Sequence, residues 1–104
     1  MTYADGSNWT DKFELECLLI FRKCEAQAFP RGLQLTLCNE LVRRSENPPS
    51  AQSLSAKVGN FKSLAGINNA SNYSKNSKRI FDLYQKYSIE DLEATIIGNS
   101  PLLD

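Results

Sequence analysis

Residues 53–65 read SLSAKVGNFKSLA, and the apolar side chains in this stretch recur at intervals of three and four. That spacing predicts an α-helix with one apolar face, formed by Leu54, Val58 and Phe61. We expect the polar side chains on the opposite face, where a DNA-binding helix presents its contacts to phosphates and base edges. These side chains are Ser53, Ser55, Lys57, Asn60 and Lys62. The segment is therefore the first candidate for a helix that reads the major groove.

Helical patterns continue on both sides of this segment. We predict helices at 11–27, 33–44, 51–64 and 76–86, and a fifth that Ser88 opens and Gly98–Asn99 ends. Residues 33–37 also alternate as a strand would, but the period changes to that of a helix at Cys38 and Leu41. The sequence thus predicts an all-α, single compact domain of four to five helices with a helix-turn-helix or Myb-like three-helix core. This domain spans 9–99, after a flexible leader at 1–8 and before a tail at 100–104.

The composition argues against catalysis. There is no histidine, which removes the usual general base and the histidine-dependent triads, and no phosphate-binding loop or paired-carboxylate motif occurs. The three cysteines are an odd number, so we expect buried reduced thiols rather than disulfides, and Cys17 and Cys24 share one helix face. We predict no enzyme activity, no metal site and no cofactor. No apolar run approaches the roughly 20 residues of a membrane span, and a cytoplasmic location is the default.

Charge is unevenly distributed along the chain, although its formal net charge is zero. Residues 43–87 contain eight cations and two acids, for a net charge of +6, while both flanking segments are acidic. A basic segment of this kind is a candidate surface for an anionic partner, and a set of solvated cations balanced by acids nearby in space is the alternative.

Further candidate DNA contacts come from this basic segment. Arg43 and Arg44 end the second helix, where the helix dipole alone would also favour cations. Lys75, Lys78 and Arg79 begin the fourth helix, where cations oppose the dipole, and this local cost indicates another purpose such as phosphate contact. Asn60 has two interpretations, a bidentate contact to adenine or a structural hydrogen bond to a neighbouring loop.

Two resemblances follow from these motifs. The Trp9-Thr10 pair, Arg44-Ser45 and the Lys57, Asn60-Phe61 pattern resemble a Myb/SANT-like three-helix module. The longer series is similar to the N-terminal helical module of bacterial HNH-type restriction endonucleases. It consists of Arg44-Ser45, then Ser53-Leu54, Lys57-Val58, Asn60-Phe61 and Leu64, then Gly66-Ile67 and Asn69-Ala70-Ser71, then Ser77-Lys78, Ile80-Phe81-Asp82 and Tyr84.

The second resemblance covers about 9–84 and implies DNA recognition, with cleavage by a separate domain. This sequence departs from the pattern through an insertion at 46–52, a longer loop at 72–74 and the absence of the histidine-bearing nuclease domain. We therefore predict a non-catalytic module that binds double-stranded DNA, of a kind that fits a bacterial mobile-element gene. The alternative is a protein-interaction adaptor or small subunit, with a protein partner or a homodimer as its complex.

Overall fold

The computed structural model describes residues 8–67 and 73–103, with the backbone alone at 99–103. Five helices lie in these ranges: α1 at Asp11–Ala26, α2 at Leu33–Arg43, α3 at Ala51–Leu64, α4 at Lys75–Tyr84 and α5 at Ile89–Leu103. No strand occurs in these described ranges. The prediction of an all-α, single compact domain of four to five helices is confirmed.

Helix α1 is the centre of the fold. The Thr10 hydroxyl accepts a hydrogen bond from the Phe13 backbone N–H at 3.2 Å, so Thr10 is the N-cap that its residue type predicts. Every residue from Phe13 to Phe21 is buried, because α2, α3, α4 and α5 all pack against this one helix. Trp9 is partly buried and packs against the core.

Helices α2 and α3 pack against each other and against α1. The bounds of α3 are those predicted, because Ser50 is its N-cap and accepts a hydrogen bond from the Ser53 N–H at 3.1 Å. Leu54, Val58 and Phe61 are fully buried, which confirms the predicted apolar face.

The last two helices differ from prediction at their ends. Helix α4 begins at Lys75 and stops at Tyr84, two residues before the predicted end. Ser88 and Asp91 cap the start of α5 reciprocally, as expected. The predicted end of α5 at Gly98–Asn99 is wrong, since the helix continues to Leu103. Gly98 does not adopt the left-handed conformation that ends many helices, so 100–103 is helix rather than a separate tail.

Residues 1–7 of the predicted leader lie outside the described residues, as do 68–72 and Asp104. Asn8, the last residue of the predicted leader, donates a hydrogen bond to the Pro48 carbonyl at 3.1 Å. None of the helices in the described part of the chain is long and apolar enough to cross a bilayer.

All three cysteines are free and buried, as predicted. Burial raises the pKa of the Cys38 thiol from the ordinary 9.0 to about 11, and burial beside Cys38 and Glu14 raises the pKa of Cys17 well above the ordinary range. The folded protein therefore binds these thiol protons more tightly than the unfolded chain does.

This difference predicts a loss of stability in alkaline solution. A thiol whose pKa is raised in the folded state makes its full contribution to the free energy of unfolding below pH 9. This contribution is lost as the pH rises through about 11. Cys38 alone should account for up to about 3 kcal/mol across that range. Urea unfolding under reducing conditions at several pH values would measure it, with Cys38→Ala as the comparison. If Cys38→Ala loses stability with pH as steeply as the wild type, the thiol is not responsible.

Candidate nucleic-acid interface

The five polar residues predicted to share the outer face of α3 do not lie on one surface. Ser53 is exposed, whereas Ser55, Lys57, Asn60 and Lys62 are all partly buried. At about 100° per residue, Lys57 and Lys62 fall on opposite flanks of the apolar face rather than behind it. Both flanks are covered, because α3 lies between α2 and α4. The expectation of a single cationic front is therefore wrong, and the most exposed positions of α3 are Gln52, Ser53 and Ala56.

The flank that faces α2 carries Ser55 and Lys62. The Gln34 side-chain amide donates hydrogen bonds to the Ser55 hydroxyl at 2.8 Å and to the Ser55 carbonyl at 3.1 Å. The Lys62 ammonium lies 5.1 Å from the centre of the Phe29 ring, within range of a cation–π interaction. These contacts join α3 to α2 and to the turn before it.

The other flank contributes to a buried polar cluster around Glu14 of α1. The Glu14 side chain is 0% exposed, and its carboxylate accepts hydrogen bonds from the Ser77 hydroxyl at 2.8 Å and from the Asn76 amide. The Lys57 ammonium lies 3.6 Å from the same carboxylate. We call Glu14, Lys57, Asn76 and Ser77 the Glu14 cluster. It brings together side chains from α1, α3 and α4.

Lys57 is consequently an internal cation. Its side chain is only 13% exposed, and its ammonium lies 4.7 Å from the centre of the Trp9 ring. The same nitrogen donates to the Ser74 hydroxyl at 3.4 Å. Since a buried carboxylate requires a nearby countercharge, Lys57 is used to neutralise Glu14.

Two more predicted contacts lie at the edge of this cluster. The Asn60 amide donates to the Ser77 hydroxyl at 3.4 Å, which favours the structural interpretation of Asn60. Arg79 donates to the Asp11 carboxylate at 2.6 Å and to the side-chain amide oxygen of Asn76 at 2.8 Å. At the start of α4, the charge of Arg79 is therefore balanced by Asp11, an acid nearby in space.

The remaining predicted cations differ in whether an acid of the chain pairs with them. Arg44 donates to Glu16 at 3.0 Å, and the Lys78 ammonium lies 2.6 Å from Asp82. The hydrogen bond from Lys78 to Asp82 raises the pKa of the Lys78 ammonium above its ordinary value. Arg43 and Lys75 are exposed and make no ion pair with any residue in the described ranges.

The start of α4 lies beside the middle of α3. Ser74 is the N-cap of α4, and the contacts from Lys57 to Ser74 and from Asn60 to Ser77 fix this position. Lys75 and Lys78, three residues apart, lie on one side of α4 and are exposed. The first turns of α3 and α4 contain no acidic residue. Exposed Lys75 and Lys78 thus lie at the N-terminus of α4, beside the middle of α3.

The Glu14 cluster has no route to chemistry on a substrate, because its carboxylate is inaccessible to solvent. Among the described residues, no group of three or more histidine, cysteine, aspartate or glutamate side chains could hold a metal ion.

Sequence reasoning did not identify Glu14 as a site residue. A stronger signal was present, because Glu14 shares one side of the helix with Cys17, Leu18 and Phe21. An acid in register with an apolar stripe is a candidate for a buried, paired carboxylate.

No family model, curated protein or solved structure matches this chain. The similarity to the HNH-associated module therefore rests on the sequence motifs alone. What they imply about DNA stays a prediction.

Proposed function

We propose that this chain is a non-catalytic module that binds double-stranded DNA, with α3 and the start of α4 at the interface. The observation that carries the proposal is the position of exposed Lys75 and Lys78 at the start of α4, beside the middle of α3. The N-terminus of α4, whose first turn has no acid, and two exposed ammonium groups suit contact with phosphates.

Within this proposal the predicted residues have two roles. Lys75, Lys78 and Ser53 are the exposed candidates for direct contact, and Arg43 is an exposed cation at the end of α2. Three other predicted residues hold the helices of the interface in position, because their side chains join α1, α3 and α4. These residues are Lys57, Asn60 and Arg79. The same proposal includes the predicted helix-turn-helix or Myb-like arrangement of the first three helices.

The second candidate function is a protein-interaction adaptor. It is favoured by the ion pairs that Arg44, Lys57, Lys78 and Arg79 form with acids of the chain, which reduce the positive charge available to a polyanion. Zero net charge also weakens long-range attraction to DNA.

A fluorescence anisotropy titration with a labelled mixed-sequence duplex would test the DNA proposal. The double substitution Lys75→Ala/Lys78→Ala should weaken binding and reduce the slope of log K against log salt by about 1.8, since each lost phosphate contact removes roughly 0.9. Arg31→Ala is the matched control, because Arg31 is an exposed cation in the turn between α1 and α2. Lys57→Ala is unsuitable here, since it would disturb the Glu14 cluster and confuse folding with binding.

Two results would contradict the proposal. One is no binding by the wild type at low salt. The other is an equal loss of affinity in Arg31→Ala and in the double variant, which would indicate attraction without a defined interface.

A further inference from the structure

One acidic side chain lies on the side of α4 that carries the two exposed lysines. Lys75, Lys78 and Asp82 follow one another at intervals of three and four residues, so they share one side of the helix. All three are exposed. We call this side, formed by Lys75, Lys78 and Asp82, the α4 surface. It contains an acid as well as two cations, and the acid repels phosphate.

Asp82 pairs with one of the two lysines. The Lys78 ammonium donates to the Asp82 carboxylate at 2.6 Å, a short charge-assisted hydrogen bond. Asp82 makes no other hydrogen bond or ion pair with a residue in the ranges that the structure describes. Its one polar contact is therefore with a cation that is a candidate for contact with DNA.

The ion pair contributes little to the stability of the helix. The side chains of Lys78 and Asp82 are 53% and 51% exposed, and water screens the attraction between exposed charges. The order of the pair, with the cation N-terminal to the acid, is the less favourable one in a helix. Asp82 also lies in the last turn of α4, where the helix dipole disfavours acids. Folding therefore gives no strong reason for an acid at this position.

The same ion pair affects how Lys78 can meet a phosphate. A phosphate oxygen and the Asp82 carboxylate are both anionic acceptors for the Lys78 ammonium. A phosphate that approaches Lys78 must displace the carboxylate or lie beside its negative charge, and either event weakens binding. Because the pair is exposed and weak, its displacement reduces the affinity by a small factor and does not prevent binding.

We propose that Asp82 lowers the affinity of the α4 surface for DNA by competing with phosphate for Lys78. This inference rests on the proposed DNA-binding function and names a residue that limits it. In the free chain Lys78 is held by Asp82, and in the complex a phosphate oxygen replaces the carboxylate. Lys75 makes its contact without this exchange, since it has no acidic partner among the described residues.

Anisotropy titrations of a labelled mixed-sequence duplex would test this inference. At about 0.1 M salt the Debye length is about 10 Å, so distant charges contribute little. Asp82→Asn should bind about two- to fivefold more tightly than the wild type, the factor that corresponds to one exposed ion pair. Asp82→Glu keeps the acid and should bind as the wild type does. Glu40→Gln is the matched control, because it removes an exposed acid from α2, and its effect should be clearly smaller.

A double-mutant cycle separates competition for Lys78 from general repulsion. In the Lys78→Ala background, Asp82→Asn should increase the affinity no more than Glu40→Gln does. A thermal unfolding curve for each variant would confirm that it folds.

Two results would overturn the inference while leaving the DNA proposal intact. One is a wild type that binds DNA and an Asp82→Asn variant that binds no more tightly than Glu40→Gln. The other is an equal gain from Asp82→Asn with and without Lys78, which would make Asp82 a remote charge. Absence of binding by both the wild type and Asp82→Asn at low salt would instead contradict the DNA proposal itself, and this inference with it.

Discussion

Glu14→Ala should lower the free energy of unfolding by about 3 to 5 kcal/mol, the cost of removing one partner from a buried charged pair. The substitution leaves Lys57 without its countercharge and leaves Ser77 and Asn76 without their shared acceptor. It also opens space where α1, α3 and α4 meet. We therefore expect a Tm at least about 12 °C below that of the wild type.

Urea and thermal unfolding would measure this loss, with Glu40→Ala as the control. Glu40 is exposed on α2, so its replacement should change stability by less than about 0.5 kcal/mol. Trp9, the one tryptophan in the sequence, provides a second readout because Lys57 lies over its ring. A Glu14→Ala protein as stable as Glu40→Ala, with unchanged Trp9 fluorescence, would mean that the cluster contributes nothing to folding.

Phe61→Ala should lower the free energy of unfolding by about 3 to 5 kcal/mol, the range for truncating a buried aromatic side chain. Phe61 is fully buried on α3, and its ring stacks on Phe81 of α4 with 6.5 Å between the ring centres. Its removal would leave a cavity and weaken the attachment of α4.

The measurement is again the free energy of unfolding, together with amide hydrogen exchange across α4. Phe61→Leu keeps much of the side-chain volume and should cost clearly less. If Phe61→Ala accelerated exchange equally in every helix, the ring would support the whole core rather than α4 in particular. If Phe61→Ala lost no more free energy of unfolding than Phe61→Leu, the cavity argument would be contradicted.

The sequence was sufficient to predict where most helices lie. The start of α3 is encoded locally, by Ser50 after two prolines, and its apolar face follows from the spacing of Leu54, Val58 and Phe61. The end of α5 was missed because Gly98 was interpreted as a stop signal, although glycine ends a helix only where it adopts the left-handed conformation.

The surroundings of the candidate site could not be predicted in the same way. Periodicity indicates which face of a helix is apolar, but it does not identify the neighbour of a flanking side chain. Lys57 faces inward because of Glu14, which lies 43 positions earlier in the chain. Charge counted along 43–87 could not distinguish a free basic surface from cations balanced nearby in space, and Arg44, Lys57 and Arg79 do pair with acids of α1.

The Glu14 cluster also fixes the longitudinal position of α4. Apolar contacts have little directional preference, so a short helix held by them alone could slide along its neighbours at modest cost. The carboxylate, in contrast, needs donors at two adjacent positions, which Asn76 and Ser77 provide. A slip of one turn would bring Ile80 and Phe81 over the carboxylate and leave its charge unsatisfied. One acid thus selects a single register for α4 and, with it, the place where Lys75 meets solvent.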